Sequence, residues 1–165
     1  GYNYGAENYD RVKHVLRAAI RSTTVFSIIS FAIFFFLNEE MINIFSDDET
    51  LREEGAYALR ILVITLPVIG FQIVGSGFYQ ALGKILPSLF LGLSRQVLFL
   101  IPFLIIFPIY FELDGIWYSF PAADILAAIV TFFMIRREVR KLNKLQQKKQ
   151  KEIQESDVNL SSKTV

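Results

Sequence analysis

Four long stretches nearly empty of charge divide this chain, and no other property limits its fold so severely. They cover residues 22–37, 61–82, 85–111 and 115–135. A helix needs about 20 apolar residues to cross the hydrocarbon core of a bilayer. The second window carries no formal charge, the third only Arg95 and the fourth only Asp124. The first reaches full length with residues 15–20 before it or 41–45 after it. In that case Arg17 and Arg21 reach the interface on their apolar stems. The expectation is an all-α, polytopic membrane helix bundle with four transmembrane helices, at about 15–37, 57–82, 86–110 and 115–136. A soluble bundle is the competing reading. Three consecutive windows with almost no polar face argue against it, because a surface helix needs one.

Composition removes several chemistries. The chain has no Cys, so disulfides, thiolate metal sites and Cys nucleophiles are excluded. His14 is the only histidine, too little for a metal cluster or a Ser-His-Asp triad. The net charge of +1 argues against nucleic acid as a partner. The opening Tyr2-Asn3-Tyr4-Gly5-Ala6 lacks the glycine spacing and the lysine of a phosphate loop. No catalytic residues, metal site or cofactor are expected, and the chain does not read as an enzyme.

The connections set the topology. Residues 38–54 are acidic, with Glu39, Glu40, Asp47, Asp48, Glu49, Glu53 and Glu54 against Arg52 alone. Within them Ser46-Asp47-Asp48-Glu49 has the pattern of a capping box, so a helix is expected to start near Asp47 and run unbroken into the second span. Gly83-Lys84 and 112–115 read as tight turns, and Pro87 suits the first turn of a helix. Lys and Arg concentrate at Arg11, Lys13, Arg17 and Arg21, then at Lys84, then beyond Arg136, whereas the other two loops are poor in them. By the positive-inside rule this alternation predicts that the first, third and last segments are cytoplasmic. The location is expected to be the plasma (inner) membrane, multi-pass, with both ends cytoplasmic. Residues 138–165 read as a basic cytoplasmic tail, partly disordered, with order ending near Ser156.

Polar groups inside the spans are the candidates for function. An ionisable side chain at the bilayer centre costs about 2.5–3.5 kcal/mol on insertion scales and needs a partner or a wet cavity. At about 1.5 Å per residue, Arg95 lies about 14 Å and Asp124 about 18 Å from the same membrane face. An Arg95–Asp124 ion pair is therefore expected. In the other reading Arg95 snorkels alone while Asp124 faces water or bonds Ser119 or Thr131. Gln72 joins the same layer, and Tyr79 and Gln80 lie nearer the cytoplasmic mouth. These five residues are candidates for lining a cavity, or for a structural polar layer that ties helices together. Gly70, Gly75 and Gly77, with Ser76, suggest a small-residue packing face. Pro67, Pro102, Pro108 and Pro121 are expected to kink their helices.

Ordered motifs carry a resemblance. Gly1-Tyr2-Asn3-Tyr4-Gly5-Ala6-Glu7-Asn8-Tyr9 comes first, then Phe45-Ser46-Asp47-Asp48, Ala58-Leu59-Arg60-Ile61 and Gly77-Phe78-Tyr79-Gln80-Ala81-Leu82-Gly83-Lys84. Leu93-Ser94-Arg95-Gln96, Gly115-Ile116-Trp117 and Pro121-Ala122-Ala123-Asp124 follow. Over residues 1–137 the set resembles helices nine to twelve of the multidrug and toxic compound extrusion (MATE) transporters. The resemblance implies part of a six-helix C-terminal lobe of a longer chain, with a missing N-terminal lobe as its intramolecular partner. It further implies export of cationic or amphipathic small molecules in exchange for protons or sodium ions. One branch of the family uses an Asp in helix ten for a cation site, and the matching window 61–82 has no carboxylate. The coupling site is therefore expected outside this chain. A lipid-linked sugar flippase of the same fold is a second reading, and a non-transporting membrane scaffold with a partner-binding tail is a third.

Overall fold

The computed structural model describes residues 1–45 and 48–163, with side chains up to Ser156 and again at Asn159. Among the described residues there is no strand. In chain order the elements are α1 (Tyr2–Gly5), α2 (Tyr9–Phe36), α3 (Asn38–Asn43), α4 (Glu49–Val63), α5 (Leu66–Ala81), α6 (Ile85–Leu93), a π-helical segment (Ser94–Leu100) and α7 (Ile101–Lys163). Large apolar side chains such as Phe26, Phe36, Ile73, Ile105 and Phe133 are exposed along the shafts. In a bundle whose solvent is lipid such exposure is expected rather than costly.

The second apolar window is not one straight helix. Asp48 caps α4, its Oδ1 accepting the Leu51 N–H at 3.1 Å. The expected capping box depends on Ser46, which lies outside the described residues. The helix then stops at Val63, and α5 leaves at 48° to α4. Pro67 accounts for the break: it has no N–H, and its ring excludes the carbonyl four residues earlier. It is tolerated only in the first turn of a new helix, where it sits. The expectation of an unbroken helix from near Asp47 is thus corrected.

Pro102 follows the π-helical segment, so a second irregularity sits beside a second proline. Pro108 and Pro121 differ, each lying inside helix with helical dihedrals of its own. A membrane helix absorbs a proline when neighbouring groups satisfy the freed carbonyl. The one non-helical residue in α7 is Glu112, at φ 52° and ψ −128°. The chain reverses there, so that 101–111 and 113–163 form antiparallel arms. Gly115 is needed beside it, because a Cβ would collide with the Phe107 carbonyl and the Pro108 nitrogen.

The small residues of α5 serve separate contacts rather than a common face. A Cβ on Gly70 would fall 2.6 Å from Ser27 Oγ and Thr23 Cγ2 of α2. One on Gly75 would collide with Thr131 Cγ2 of the second α7 arm. One on Gly77 would meet nothing within 4 Å. The direction each glycine faces follows from the helical period, since positions 70 and 75 are about 140° apart around the axis.

The best-packed part of the bundle lies where the start of α2 meets the end of α5 and the later part of α7. Val12, Leu16, Phe78, Tyr79, Leu82, Leu91, Ile135 and Leu142 form one buried cluster, with Leu142 fully buried. Around it Glu138, 3 % exposed, pairs with Lys84. Lys13 Nζ donates to Asn143 Oδ1 at 2.8 Å and to Gln146 Oε1 at 2.7 Å, and Lys149 pairs with Glu7 at 3.2 Å. Residues 138–149 therefore continue the last helix and make contacts with the bundle. The helix also continues past Ser156 to Lys163. No Gly or Pro follows Pro121 to stop it, and pairs such as Lys148–Glu152 at 3.6 Å support its exposed face.

Two outcomes follow from this packing. Leu142→Ala should cost about 2–5 kcal/mol and lower the unfolding temperature in detergent, whereas ending the chain after Gln150 should leave it near normal. Equal behaviour of the two would contradict a packed tail. Gly75→Ala should destabilise by about 1–3 kcal/mol through overpacking against Thr131, and Gly77→Ala should be neutral in the same melt.

Candidate functional site

Asp124 is the most deeply buried ionisable group of the spans, at 1 % exposure. It stands on the second arm of α7, about nine residues, hence about 14 Å, beyond the Gly115 turn. Such a carboxylate persists only if both oxygens are satisfied. They are: Arg95 Nε donates to Oδ1, and Thr65 Oγ1 donates to Oδ2 at 2.7 Å. The Asp124 backbone oxygen accepts from Gln72 Nε2 at 2.9 Å. The expected Arg95–Asp124 pair is present, and Gln72 does join its layer.

The donors come from the two irregular points of the backbone. Thr65 occupies the break between α4 and α5, and Arg95 lies in the first turn of the π-helical segment. Asp124 therefore ties the bend, the π segment and the last arm together. Sequence reasoning missed Thr65, proposing Ser119 or Thr131 as the alternative partners. Those hydroxyls instead bond carbonyls one turn back in their own helix, Gly115 at 2.6 Å and Ala127 at 2.8 Å. A Thr two residues before Pro67 was the available signal, because a helix break frees a polar side chain to point away from its own backbone.

Arg95 is the open member of the pair, with 37 % of its side chain exposed against 2 % for Asp124. It lines a groove between α5 and α6 together with Gln72 and Gln80, with a volume of about 410 Å³. Ser76 and Ser88 tie the groove's two walls, each hydroxyl donating to the other's backbone oxygen at 3.1 and 3.0 Å. Tyr79 turns away from the groove. It is 3 % exposed, and its hydroxyl donates to the Met134 carbonyl at 2.8 Å. Of the five candidates, Gln72, Gln80 and Arg95 line the groove, Asp124 anchors it from behind, and Tyr79 is structural.

At the far end of the bundle a polar cleft of about 390 Å³ lies between α3 and α4. Arg60 pairs with Glu39 at 3.2 Å across it, and Arg52 Nε donates to Asn43 Oδ1. Beside it the Tyr57 and Tyr118 hydroxyls lie 3.0 Å apart. Among the described residues no three His, Asp or Glu side chains converge as metal ligands would.

Known proteins share the sequence family and the fold of this chain. A family model described as MatE matches residues 1–106, a range that includes Arg95 and stops short of Asp124. Multidrug export protein MepA of Staphylococcus aureus (strain NCTC 8325 / PS 47) is 25% identical over 134 residues, 81% of this chain and 29% of MepA. MepA of Staphylococcus saprophyticus is 23% identical over the same share of each. Among solved structures, MATE multidrug transporter DinF-BH in complex with rhodamine 6G superimposes with a TM-score of 0.78 at 41% identity, covering 83% of this chain and 31% of that one. An outward-facing multidrug resistance MATE family transporter of the MOP superfamily gives 0.80 at 24% identity, over 86% and 32%. That second likeness speaks for the fold alone. The chain spans about 29% of the length of the curated relatives it matches.

A double-mutant cycle tests the coupling at Asp124. Arg95→Gln alone strands a buried carboxylate and should cost about 3–5 kcal/mol in detergent unfolding. Adding Asp124→Asn should recover most of that loss. Strictly additive losses would show that the two side chains do not depend on each other.

Proposed function

The chain belongs to the MatE family, and we propose that it forms part of the C-terminal lobe of an exporter of amphipathic organic cations, driven by inward flow of protons or sodium ions. The observation that carries this reading is the Arg95–Asp124 pair, with Gln72 beside it, inside spans that expose many large apolar side chains. Ionisable groups inside a membrane are expensive and mark functional positions by default. A transport cavity needs such groups, because its cargo must exchange water for protein contacts part-way across. The remaining lobe of the same protein would complete the cavity.

The first residues of the chain and residues 138–149 of α7 share one end of the bundle, where Lys149 meets Glu7. The Lys and Arg bias makes that end cytoplasmic in a plasma membrane. The coupling ion site belongs elsewhere in the protein, since α5 has no carboxylate and both oxygens of Asp124 are already taken by Arg95 and Thr65. The scaffold reading requires a free basic tail, and the packing of residues 138–149 against α2 weighs against it.

This chain has no Cys, so single cysteines placed in it report its orientation once any elsewhere in the protein are replaced. In intact cells a membrane-impermeant maleimide should label Thr50→Cys and spare Lys144→Cys until the cells are opened. Labelling of both from outside would overturn the topology. Cells expressing the protein should accumulate less ethidium than controls, and the difference should collapse when the ion gradients are dissipated.

A further inference from the structure

We infer that residues 64–66 are the pivot of the second span and that Thr65 is its latch, a positioning residue that holds α4 bent while α5 stays fixed. The inference stands on contacts made inside the chain. Helices elsewhere in the lobe can add to these contacts but not remove them.

The backbone ladder is open at this place. Pro67 has no N–H, so the Val63 carbonyl lacks the donor that a continuous helix would bring to it. The Ile64 N–H reaches only three residues back, to the Ile61 carbonyl at 3.4 Å. The short break after Val63 takes up the 48° between α4 and α5. On its far side α5 is locked on two flanks by close backbone approach. Gly70 has no room for a Cβ against Thr23 and Ser27 of α2, and Gly75 has none against Thr131 of α7. The Tyr79 hydroxyl adds its bond to the Met134 carbonyl. α4 and the break reach the last arm of α7 through hydroxyls instead, Thr65 to Asp124 at 2.7 Å and Tyr57 to Tyr118 at 3.0 Å. Interlocked backbones cannot shift without collision, whereas a hydroxyl can rotate to another acceptor.

Thr65 has two acceptors within its reach. In the bent form its Oγ1 donates to Asp124 Oδ2, completing a carboxylate whose other oxygen is held by Arg95. In a continuous helix the same hydroxyl would meet the carbonyl one turn back, that of Ile61. Ser119 and Thr131 make that local bond in this bundle, to Gly115 and Ala127. A proline does not forbid such a state, since Pro108 and Pro121 lie inside helix in the same chain. Both forms satisfy the hydroxyl, and the Asp124 oxygen tips the balance toward the bend. Two discrete arrangements of this kind are what a hinge requires. Resting on the exporter reading, a swing of α4 about this pivot reshapes one side of the transport cavity while α5 remains part of a fixed wall.

Pulsed EPR on the full-length protein in lipid nanodiscs, with any cysteines elsewhere replaced, reads the bend. Spin labels at Thr50→Cys and Asp114→Cys report α4 against the last arm, and labels at Ile73→Cys and Phe133→Cys report α5 against the same arm. α4 has 15 residues and is about 22 Å long, so a rotation of about 15° moves its far end by about 6 Å. Thr65→Val keeps the shape and removes the hydroxyl. It should shift the first distance by about that much or more and leave the second unchanged, while Thr65→Ser keeps the native value. Pro67→Ala returns a donor to the Val63 carbonyl and should shift the first distance as well, which decides the pivot even if Thr65→Val fails to fold. No shift in Pro67→Ala, or a shift of the second distance, would overturn the pivot. A native distance in folded Thr65→Val would overturn the latch. Ethidium export should fall in Thr65→Val and persist in Thr65→Ser, and a shifted distance with full export would overturn the part in transport. If the native protein exports nothing, the exporter reading falls, and the distances decide the latch by themselves.

Discussion

A carboxylate buried among helices that face lipid has no water to fall back on, and the middle of this bundle is arranged around meeting that demand. Asp124 recruits a guanidinium from the π-helical segment and a hydroxyl from the break between α4 and α5. Each donor sits where the regular helix is interrupted, so each interruption has an occupation. The break lets Thr65 point sideways to Asp124, and the π turn places Arg95 at the same depth. Without the carboxylate, the bend at Thr65 and the widened turn at Arg95 would have no common point of contact.

The end where α2 begins is secured by different physics. Apolar side chains from the start of α2, the end of α5 and the extension of α7 close around Leu142. A ring of polar contacts, Lys84–Glu138, Lys13–Gln146 and Lys149–Glu7, surrounds them. Mixed polar and apolar packing of this kind belongs to an aqueous environment and not to lipid. It agrees with a helix that leaves the membrane and keeps its partners. A region whose composition suggests a loose basic tail is thus, over its first three turns, a structural element.

The candidate site was partly legible from spacing alone. Arg95 and Asp124 are the lone charges of neighbouring antiparallel spans, and counting residues from a shared membrane face puts them at similar depth. Residue counting cannot say which hydroxyl completes the carboxylate, because it places none of Thr65, Ser119 and Thr131 at the depth of Asp124. Their choice depends on whether a hydroxyl has a free carbonyl one turn back, and Ser119 and Thr131 do. Thr65 escapes that local bond because the helix breaks around it. Prolines show the same limit. Pro67 coincides with a bend and Pro102 with a π segment, yet Pro108 and Pro121 each lie inside helix with helical dihedrals of their own. A missing N–H is local chemistry, whereas its geometric consequence depends on what the neighbours do with the freed carbonyl.

What the sequence alone determined is the solvent and the count of apolar stretches, since hydropathy adds along a chain and needs no knowledge of contacts. It likewise determined the lone charged pair at one depth and the alternation of basic segments. Only the tertiary structure decided which member of that pair faces the groove, which glycine touches which helix, and that Leu142 belongs to the core. These depend on the rotation of each helix about its axis. That rotation is set by the summed packing of all neighbours at once, a quantity no single segment carries.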